Sequence, residues 1–240
     1  MPSCCSTFGD VADGHFNTQL ATRDLARYRR KGPGSTTRLI VEGVTAAGAS
    51  KGVLLDVGSG VGSLTFELLE RGVTQAVAVD ASAAYIGAAT EEAARRHRAD
   101  ALRLVHGDFL AVAPQLPLAD IVTLDRVVCC YPHYEPLLQE ATNHATDCLA
   151  LSYPRNIWLA RAAMGLENAR RRRKRNPFRS FVHSAEAMER VVRQAGFDLV
   201  SRRRTWMWSI DVYQRVGGAA FRSATLVRSA CLRDPLDRDR

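Results

Sequence analysis

The stretch that most constrains the fold is VLLDVGSGVGSLTFELLERG, residues 53 to 72. Its apolar start predicts a short strand that is buried on both faces of a parallel sheet. Apolar residues then recur at helical spacing up to Gly72, which suits the end of a helix. Asp56 and three alternating glycines stand between the two elements. The stretch therefore predicts a strand, a tight turn and a helix, and in an open α/β sheet such a turn lies where ligands bind.

The spacing of this turn is D-x-G-x-G-x-G. A dinucleotide-binding turn needs G-x-G-x-x-G, and here the third glycine comes one residue early. The pattern resembles motif I of the class I S-adenosylmethionine (SAM) methyltransferases. The resemblance implies a turn that packs against the methionine part of SAM, with an acidic residue near its ammonium group. On this sequence those positions are Asp56, Gly58, Ser59, Gly60 and Gly62. A glycine turn of another doubly wound domain is the alternative.

Acidic residues also end the next predicted strands. Asp80 follows Asp56 by 24 residues, and an ionised carboxylate there can accept hydrogen bonds from both ribose hydroxyls. A helix N-terminal aspartate that favours the dipole is the alternative. The family resemblance implies that Asp108 accepts from the adenine amino group and that Phe109 packs on the ring. Asp125 ends the fourth strand and completes the candidate cofactor site. Because these positions agree in order and spacing, we expect SAM as the cofactor.

Strand patterns alternate with helix patterns along most of the chain. They predict parallel β-α-β units and then an antiparallel hairpin at 197–216, where no helix fits between the strands. We expect an α/β fold with a doubly wound, mostly parallel, seven-stranded Rossmann-like sheet, as in class I methyltransferases. The predicted segments are an N-terminal arm and helical lid at 1–48, a SAM-binding domain at 49–216 and a C-terminal tail at 217–240. Residues 1–18 lack periodicity and predict a mobile arm.

Three residues are candidates for catalysis. Tyr28 lies on a predicted helix that ends at a Gly-Pro-Gly hinge, so this helix can close on the cofactor with Tyr28 facing inward. Simple packing of Tyr28 is the alternative. Tyr131 and His133 follow the fourth strand, which should run past the transferable methyl group. Histidine is a common general base, although a surface position in the first turn of a helix is the alternative for His133.

A closer resemblance spans most of residues 20 to 215. The segments LDRVVCCYPHYEPLL and FVHSAEAMERVVRQAGF are similar to segments of the magnesium-protoporphyrin O-methyltransferase group. The chain departs from that group at Cys129-Cys130 and at the basic run 170–175, in regions that face the substrate. These departures argue against a porphyrin as the substrate. Large RNA or protein acceptors usually require added recognition modules, and 240 residues leave little room for one. We therefore expect a small or medium-sized acceptor with an oxygen nucleophile, and the sequence does not name it.

The basic run is RRRRKR at 170–175, in a chain with a formal net charge of +8. Such a run can bind nucleic-acid phosphates, dock on a membrane surface together with the apolar residues before it, or clamp substrate carboxylates. A solvated helix end favoured by the dipole is the simplest interpretation. No RNA-binding module accompanies the run, so we expect no nucleic-acid partner and at most weak membrane-surface contact.

The vicinal pair Cys129-Cys130 is the second feature without an assigned role. Thiolates are soft ligands, so a pair beside the methyl site can hold a thiophilic metalloid. Buried apolar thiols are the alternative. The cysteine spacings fit no zinc site, and we expect no bound metal.

The sequence contains no apolar run of the ~18 residues that a membrane span needs. Its N-terminus lacks the basic and apolar regions of a signal peptide. We therefore expect a cytoplasmic SAM-dependent methyltransferase that acts on a small molecule. The alternatives are a SAM-binding scaffold without catalysis and a methyltransferase acting on a metalloid or on RNA. The sequence indicates no oligomeric state.

Overall fold

The computed structural model describes the backbone of residues 4–217 and the side chains of residues 8–217. Almost all of the predicted tail at 217–240 lies outside these residues. The strands are β1 Gly52–Val57, β2 Val73–Asp80, β3 Leu102–His106, β4 Ala119–Asp125, β5 Ala145–Pro154, β6 Phe197–Arg204 and β7 Trp208–Arg215. They form one sheet in the order β3-β2-β1-β4-β5-β7-β6. The first five strands are parallel and β7 is antiparallel to both neighbours, which confirms the predicted sheet and hairpin.

Several of the helices begin at a polar residue whose side chain caps them. They are α1 Cys4–His15, α2 Thr18–Lys31, α3 Ser35–Ala46, α4 Ser63–Leu69, α5 Ala83–Arg95, α6 Phe109–Val112, α7 Tyr134–His144, α8 Trp158–Arg173 and α9 Ala185–Gln194. Asn17, Ser82 and Ser184 each accept a backbone N–H of the first turn, at α2, α5 and α9. Within the described part of the chain, no helix is both long and apolar enough to cross a membrane.

Helices cover both faces of the sheet, as consecutive residues of β1 show. Leu54 packs in a cluster with Ile40 of α3, and Leu55 packs in a second cluster with Leu137 of α7. Both leucines are fully buried. Burying such a side chain contributes about 1.5–3 kcal/mol, which explains the apolar run Val53–Leu55 in β1.

The C-terminal hairpin is fixed by a buried ionic network. Asp211 of β7 is fully buried and accepts two hydrogen bonds from the Arg202 guanidinium, at 2.8 and 2.7 Å. It also accepts the hydroxyls of Tyr153, at 2.7 Å, and Tyr213, at 3.0 Å. The positive charge and the two donors compensate the burial of this carboxylate. The network therefore joins β5, β6 and β7.

The expectation of a mobile arm at 1–18 is wrong, because helix α1 occupies most of this segment. The ring centroids of Phe8 and Tyr131 are 4.1 Å apart. The carboxylate of Asp13 accepts the backbone N–H of Ala83 at 2.8 Å. These partners are distant in sequence, so local periodicity did not indicate the helix. Together α1, α2 and α3 form the N-terminal helical region, and its closing role stays a prediction.

Candidate cofactor and acceptor site

Two cavities meet at the carboxyl ends of β1, β2 and β4. The first has a volume of about 580 Å³ and the second of about 240 Å³. Gly58, Gly60, Asp125 and Arg126 line both cavities. The glycine turn predicted from the sequence therefore forms a wall between two connected spaces, at the position where α/β sheets bind ligands.

The three glycines of the turn have different reasons to be glycine. All have positive φ, +65° at Gly58, +56° at Gly60 and +78° at Gly62, which favours glycine. A Cβ at Gly58 would lie 2.4 Å from Val127, and a Cβ at Gly62 would lie 2.7 Å from Phe66. A Cβ at Gly60 would meet no heavy atom of the described residues within 4 Å beyond its chain neighbours. Gly60 therefore faces open space that a ligand can fill.

Asp56, at the end of β1, is only 1% exposed. Its two carboxylate oxygens accept the hydroxyls of Thr65, at 2.7 Å, and Thr123, at 2.8 Å. Burial, with smaller contributions from Asp125 and Asp80, raises the pKa of Asp56 to about 7. Its hydrogen-bond donors are neutral, so the burial of this carboxylate is poorly compensated.

Asp80 holds the glycine turn against the start of α5. One carboxylate oxygen accepts the backbone N–H of Gly60 and the other that of Ser82, both at 2.8 Å. Burial raises the pKa of Asp80 to about 6, against the lowering effect of these hydrogen bonds. Asp80 also lines the first cavity. Each oxygen keeps a second acceptor position, so the predicted ribose contact is sterically and chemically open.

Asp108 contains an unpaired acceptor. Its Oδ1 accepts the hydroxyl of Tyr131 at 2.5 Å and the backbone N–H of Leu110 at 3.3 Å. Its Oδ2 is buried and has no hydrogen-bond partner among the described residues. Gly107 and Phe109, on either side of it, line the first cavity. A buried oxygen without a donor is costly, so this position suits a ligand that supplies an N–H.

Ser59 and Asp125 complete the residues predicted to hold the cofactor. The hydroxyl of Ser59 is buried and lacks a hydrogen-bond partner within the described chain, and Ser59 lines the second cavity. Asp125 accepts the hydroxyls of Thr37 and Ser152, each at 2.6 Å. Asp125 therefore joins α3 to β5 at the junction of the two cavities.

The three candidates for catalysis lie in different surroundings. Tyr28 is buried, and its hydroxyl donates to Glu67 at 3.2 Å, which favours the packing alternative. Tyr131 lines the first cavity, and burial raises its pKa well above the ordinary value, so it keeps its proton. His133 is exposed at the start of α7 and is not among the residues that line either cavity.

His15 is the histidine that the structure places in the first cavity. Its ring stacks on Phe178 with centroids 4.3 Å apart, and its Nδ1 accepts the amide of Asn176 at 3.0 Å. Burial, helped by the charge of Arg171, lowers the pKa of His15 to about 4. Sequence reasoning missed this residue because its partners lie more than 150 positions away.

The vicinal cysteines face the same cavity. The thiols of Cys129 and Cys130 both donate to the backbone oxygen of Arg126, at 3.3 and 3.5 Å. Arg126 has a positive φ of +63°, which is unusual for a residue with a side chain. Among the described residues, no group of three or more potential metal ligands occurs.

Comparison with known proteins adds two findings. The family model described as "Methyltransferase domain" matches residues 54–150. This range holds the glycine turn and the four strand-end positions. Among curated proteins, none matches the chain.

Several solved structures are similar in fold. Magnesium protoporphyrin IX methyltransferase from Synechocystis PCC 6803, with bound SAH, is 20% identical with a TM-score of 0.65, over 86% of this chain and 99% of that chain. The same protein with bound SAM is 19% identical with a TM-score of 0.64, over 87% and 97% of the two chains. An O-methyltransferase family protein from Burkholderia thailandensis is 17% identical with a TM-score of 0.66, over 84% and 61%.

Proposed function

We propose, from the premise that this chain is a class I SAM-dependent methyltransferase, that it methylates an oxygen atom of a small or medium-sized acceptor in the first cavity. SAM is the cofactor. The observation that carries the acceptor proposal is the aromatic lining of this cavity beside the cofactor residues. A cytoplasmic location stays a prediction.

Residues at the junction of the two cavities would hold SAM. The open space beside Gly60 admits ligand atoms, and the unpaired oxygen of Asp108 needs a donor such as the adenine amino group. The remaining acceptor positions of Asp80 suit the ribose hydroxyls. Asp56 supplies the negative charge for the ammonium group. Bound there, SAM would supply a methyl group on a positively charged sulfur.

The acceptor part of the first cavity is aromatic. The rings that line the first cavity include Phe8, Phe16, Tyr131, Phe178 and Trp208. Aromatic walls bury a large apolar area and favour flat ligands that contain rings. We therefore assign a largely apolar, ring-containing acceptor. The porphyrin named for the Synechocystis protein is of this kind, but likeness at that identity shows the fold alone.

The groups on this aromatic wall favour an acceptor oxygen that is already ionised. Tyr131 keeps its proton because burial raises its pKa well above the ordinary value. The Nδ1 of His15 accepts the Asn176 amide, so Nε2 carries the ring proton and can only donate. A carboxylate needs no general base, and the Nε2–H of His15 can orient it, whereas the Tyr131 hydroxyl already donates to Asp108.

Arg171 supplies a positive charge in the wall of the same cavity. Its side chain is 16% exposed, and its Nε lies 3.4 Å from Glu167 in a geometry that makes no hydrogen bond. A guanidinium matches a carboxylate group of a ligand. Arg172, the next residue, is exposed to solvent and offers a matched control.

The proposed function is tested with radiolabelled SAM and a panel of aromatic acids, phenols and amines. Labelled products that release methanol in mild alkali are carboxyl esters, whereas ethers and methylamines are stable. We expect base-labile products, and Arg171→Met should raise KM about tenfold or more while Arg172→Met changes it less than about twofold. Methylation at nitrogen, or equal effects of the two variants, would contradict the proposal.

Calorimetry with SAM separates the remaining alternatives. Binding without methylation of any acceptor would favour the scaffold without catalysis. Labelling of RNA would favour the RNA alternative. The metalloid alternative is favoured by one observation, the two thiols that face the cavity together. It requires that trivalent arsenic becomes labelled and that Cys129→Ser abolishes the labelling.

A further inference from the structure

The outer side of α8 and the turn between β6 and β7 expose large apolar side chains. Trp158 is 79% exposed, Leu159 41% and Leu166 57%, all on α8. Trp206, in the turn, is 67% exposed. We call these four residues the docking face. Soluble proteins rarely expose two tryptophans without a partner, because each leaves a large apolar area in water.

The two tryptophans belong to adjacent segments. The guanidinium of Arg155, just before α8, donates to the backbone oxygens of Thr205, at 3.3 Å, and Trp206, at 3.2 Å. The backbone N–H of Arg155 donates to the oxygen of Met207 at 2.8 Å. These bonds join the start of α8 to the hairpin turn, so the segments that carry Trp158 and Trp206 are neighbours.

The surroundings of the docking face are strongly basic. Residues 155–175 contain eight arginines and lysines and one acidic residue, Glu167. The basic run at 170–175 ends α8, and Arg171 is its inward-facing member. The other five members are exposed, as is Arg204 beside the hairpin turn. The docking face thus combines apolar residues with positive charge.

The same helix also reaches the first cavity. Ala163, Met164 and Glu167 of α8 line this cavity, as does Trp208 of β7. One side of α8 therefore contacts the proposed acceptor space while the other carries the docking face. A surface that binds the docking face would lie next to the proposed acceptor space.

We propose that the docking face binds the surface of an anionic phospholipid membrane, with the tryptophans at the headgroup level and the basic run against the lipid phosphates. Tryptophan favours this level because its ring is apolar and its N–H is polar. Membrane binding itself is independent of the proposed function. The role we give it, access to an apolar acceptor dissolved in the membrane, rests on that function.

Charge excludes a second copy of the chain as the better occupant, since two docking faces would bring two basic runs together. A nucleic acid would satisfy the charges but not the aliphatic residues Leu159 and Leu166. An anionic membrane satisfies both the apolar residues and the cations. The membrane is therefore the occupant that the observations favour.

The test is co-sedimentation of the full chain with vesicles of phosphatidylcholine, alone or mixed with phosphatidylglycerol. We expect binding to the mixed vesicles that weakens about tenfold or more without the anionic lipid. The double variant Trp158→Ser/Trp206→Ser and the double variant Arg172→Ser/Arg173→Ser should each lower the partition coefficient about tenfold. Leu118→Ser removes another exposed apolar side chain, 63% exposed outside the docking face, and should change it less than about twofold.

Calorimetry with SAM confirms that each variant is folded. The proposal is overturned by absence of binding to mixed vesicles, or by a tryptophan double variant that binds as well as the parent chain. It is also overturned if single-stranded RNA binds more tightly than the vesicles, or if the tryptophan variant abolishes a dimer of the free chain. Vesicle binding needs neither methyl transfer nor an acceptor, so its failure is distinct from failure of the proposed function.

Discussion

Asp56 and Asp211 are both buried aspartates of the central sheet, but their surroundings differ. Asp211 has a guanidinium and two phenol hydroxyls as donors. Asp56 has two threonine hydroxyls. Both side chains leave water almost completely, with exposures of 0% and 1%. The difference between them is therefore the presence or absence of a positive charge beside the carboxylate.

A fully compensated buried carboxylate stabilises a unique packing, whereas an uncompensated one costs free energy in the folded state. Asp211 lies far along the sheet, in the hairpin, and its partners include the Arg202 guanidinium. Asp56 lies at the glycine turn, and burial raises its pKa to about 7. The comparison shows that the buried carboxylate of Asp56 lacks a cationic hydrogen-bond partner among the described residues, whereas that of Asp211 has one.

The largest expected effect on stability comes from removing the cation of the Asp211 network. Arg202→Met leaves a buried carboxylate without its positive partner, so the free energy of unfolding should fall by about 3–5 kcal/mol. The measurement is urea unfolding at neutral pH followed by circular dichroism. Arg203→Met is the control, because its ion pair with Glu42 is exposed and contributes less than about 1 kcal/mol. Equal losses of unfolding free energy in the two variants would show that Arg202 does not compensate the buried charge of Asp211.

In contrast to Arg202→Met, Asp56→Asn should lower the affinity for the ligand more than it lowers the stability of the fold. Near pH 8 we expect SAM affinity to fall about 10- to 100-fold by calorimetry, because the carboxylate that would face the ammonium group is gone. Near pH 5 the wild-type carboxyl is itself protonated, so the difference between the two proteins should nearly vanish. A difference that is the same at both pH values would show that charge is not the cause.

The free energy of unfolding should also depend differently on pH in the wild type and in Asp56→Asn. In the unfolded chain an aspartate loses its proton near pH 4, whereas burial holds the native pKa of Asp56 at about 7. Between these values the native state binds more protons, so stability falls as pH rises and levels off above about 7. The stability of Asp56→Asn relative to wild type should therefore increase by about 2 kcal/mol between pH 5 and pH 8, measured by urea unfolding. A constant difference would contradict the raised pKa.

The smallest expected effect comes from removing one hydroxyl that donates to Asp56, that of Thr65. Thr65→Val removes it with little change in volume, and we expect a loss of about 1–2 kcal/mol near pH 8 and less near pH 5. Urea unfolding at the two pH values measures it. The control is Thr90→Val, at an exposed helix position, which should stay within about 0.5 kcal/mol of the parent. A larger loss at the lower pH would contradict ionisation of Asp56.

Much of the fold could be predicted, because burial on both faces of a strand produces continuous apolar runs. The fourth strand was predicted to end at Asp125, as β4 does, and the helix of Tyr28 was predicted to end at the Gly-Pro-Gly hinge, as α2 does with its cap at Gly32. The antiparallel hairpin could be predicted because too few residues separate its two strands in sequence for a connecting helix. These features depend on neighbours in sequence, which is why periodicity and caps indicate them.

The convergence of the predicted cofactor residues at the glycine turn could be predicted, but the other residues that line the first cavity could not. Carboxyl ends of parallel strands converge, so Asp80 and Asp108 could be placed near the glycine turn from strand order alone. Whether His15 or His133 reaches the cavity depends on the course of α1 and on Phe178, a ring more than 150 residues away from His15. Likewise, the bond from Tyr28 to Glu67 spans 39 residues and leaves no local pattern.

The tryptophans all lie in one part of the fold, so intrinsic fluorescence reports on that part alone. The sequence has three tryptophans, and all belong to α8 or to the hairpin turn and strand, at Trp158, Trp206 and Trp208. Two are exposed and should emit at long wavelength, while Trp208 lines the first cavity. Intrinsic tryptophan fluorescence therefore reports on α8 and the C-terminal hairpin, and the glycine turn contains no tryptophan. Acceptor binding should quench or shift the emission of Trp208, whereas unfolding confined to β1, β2 and β3 would leave the spectrum nearly unchanged.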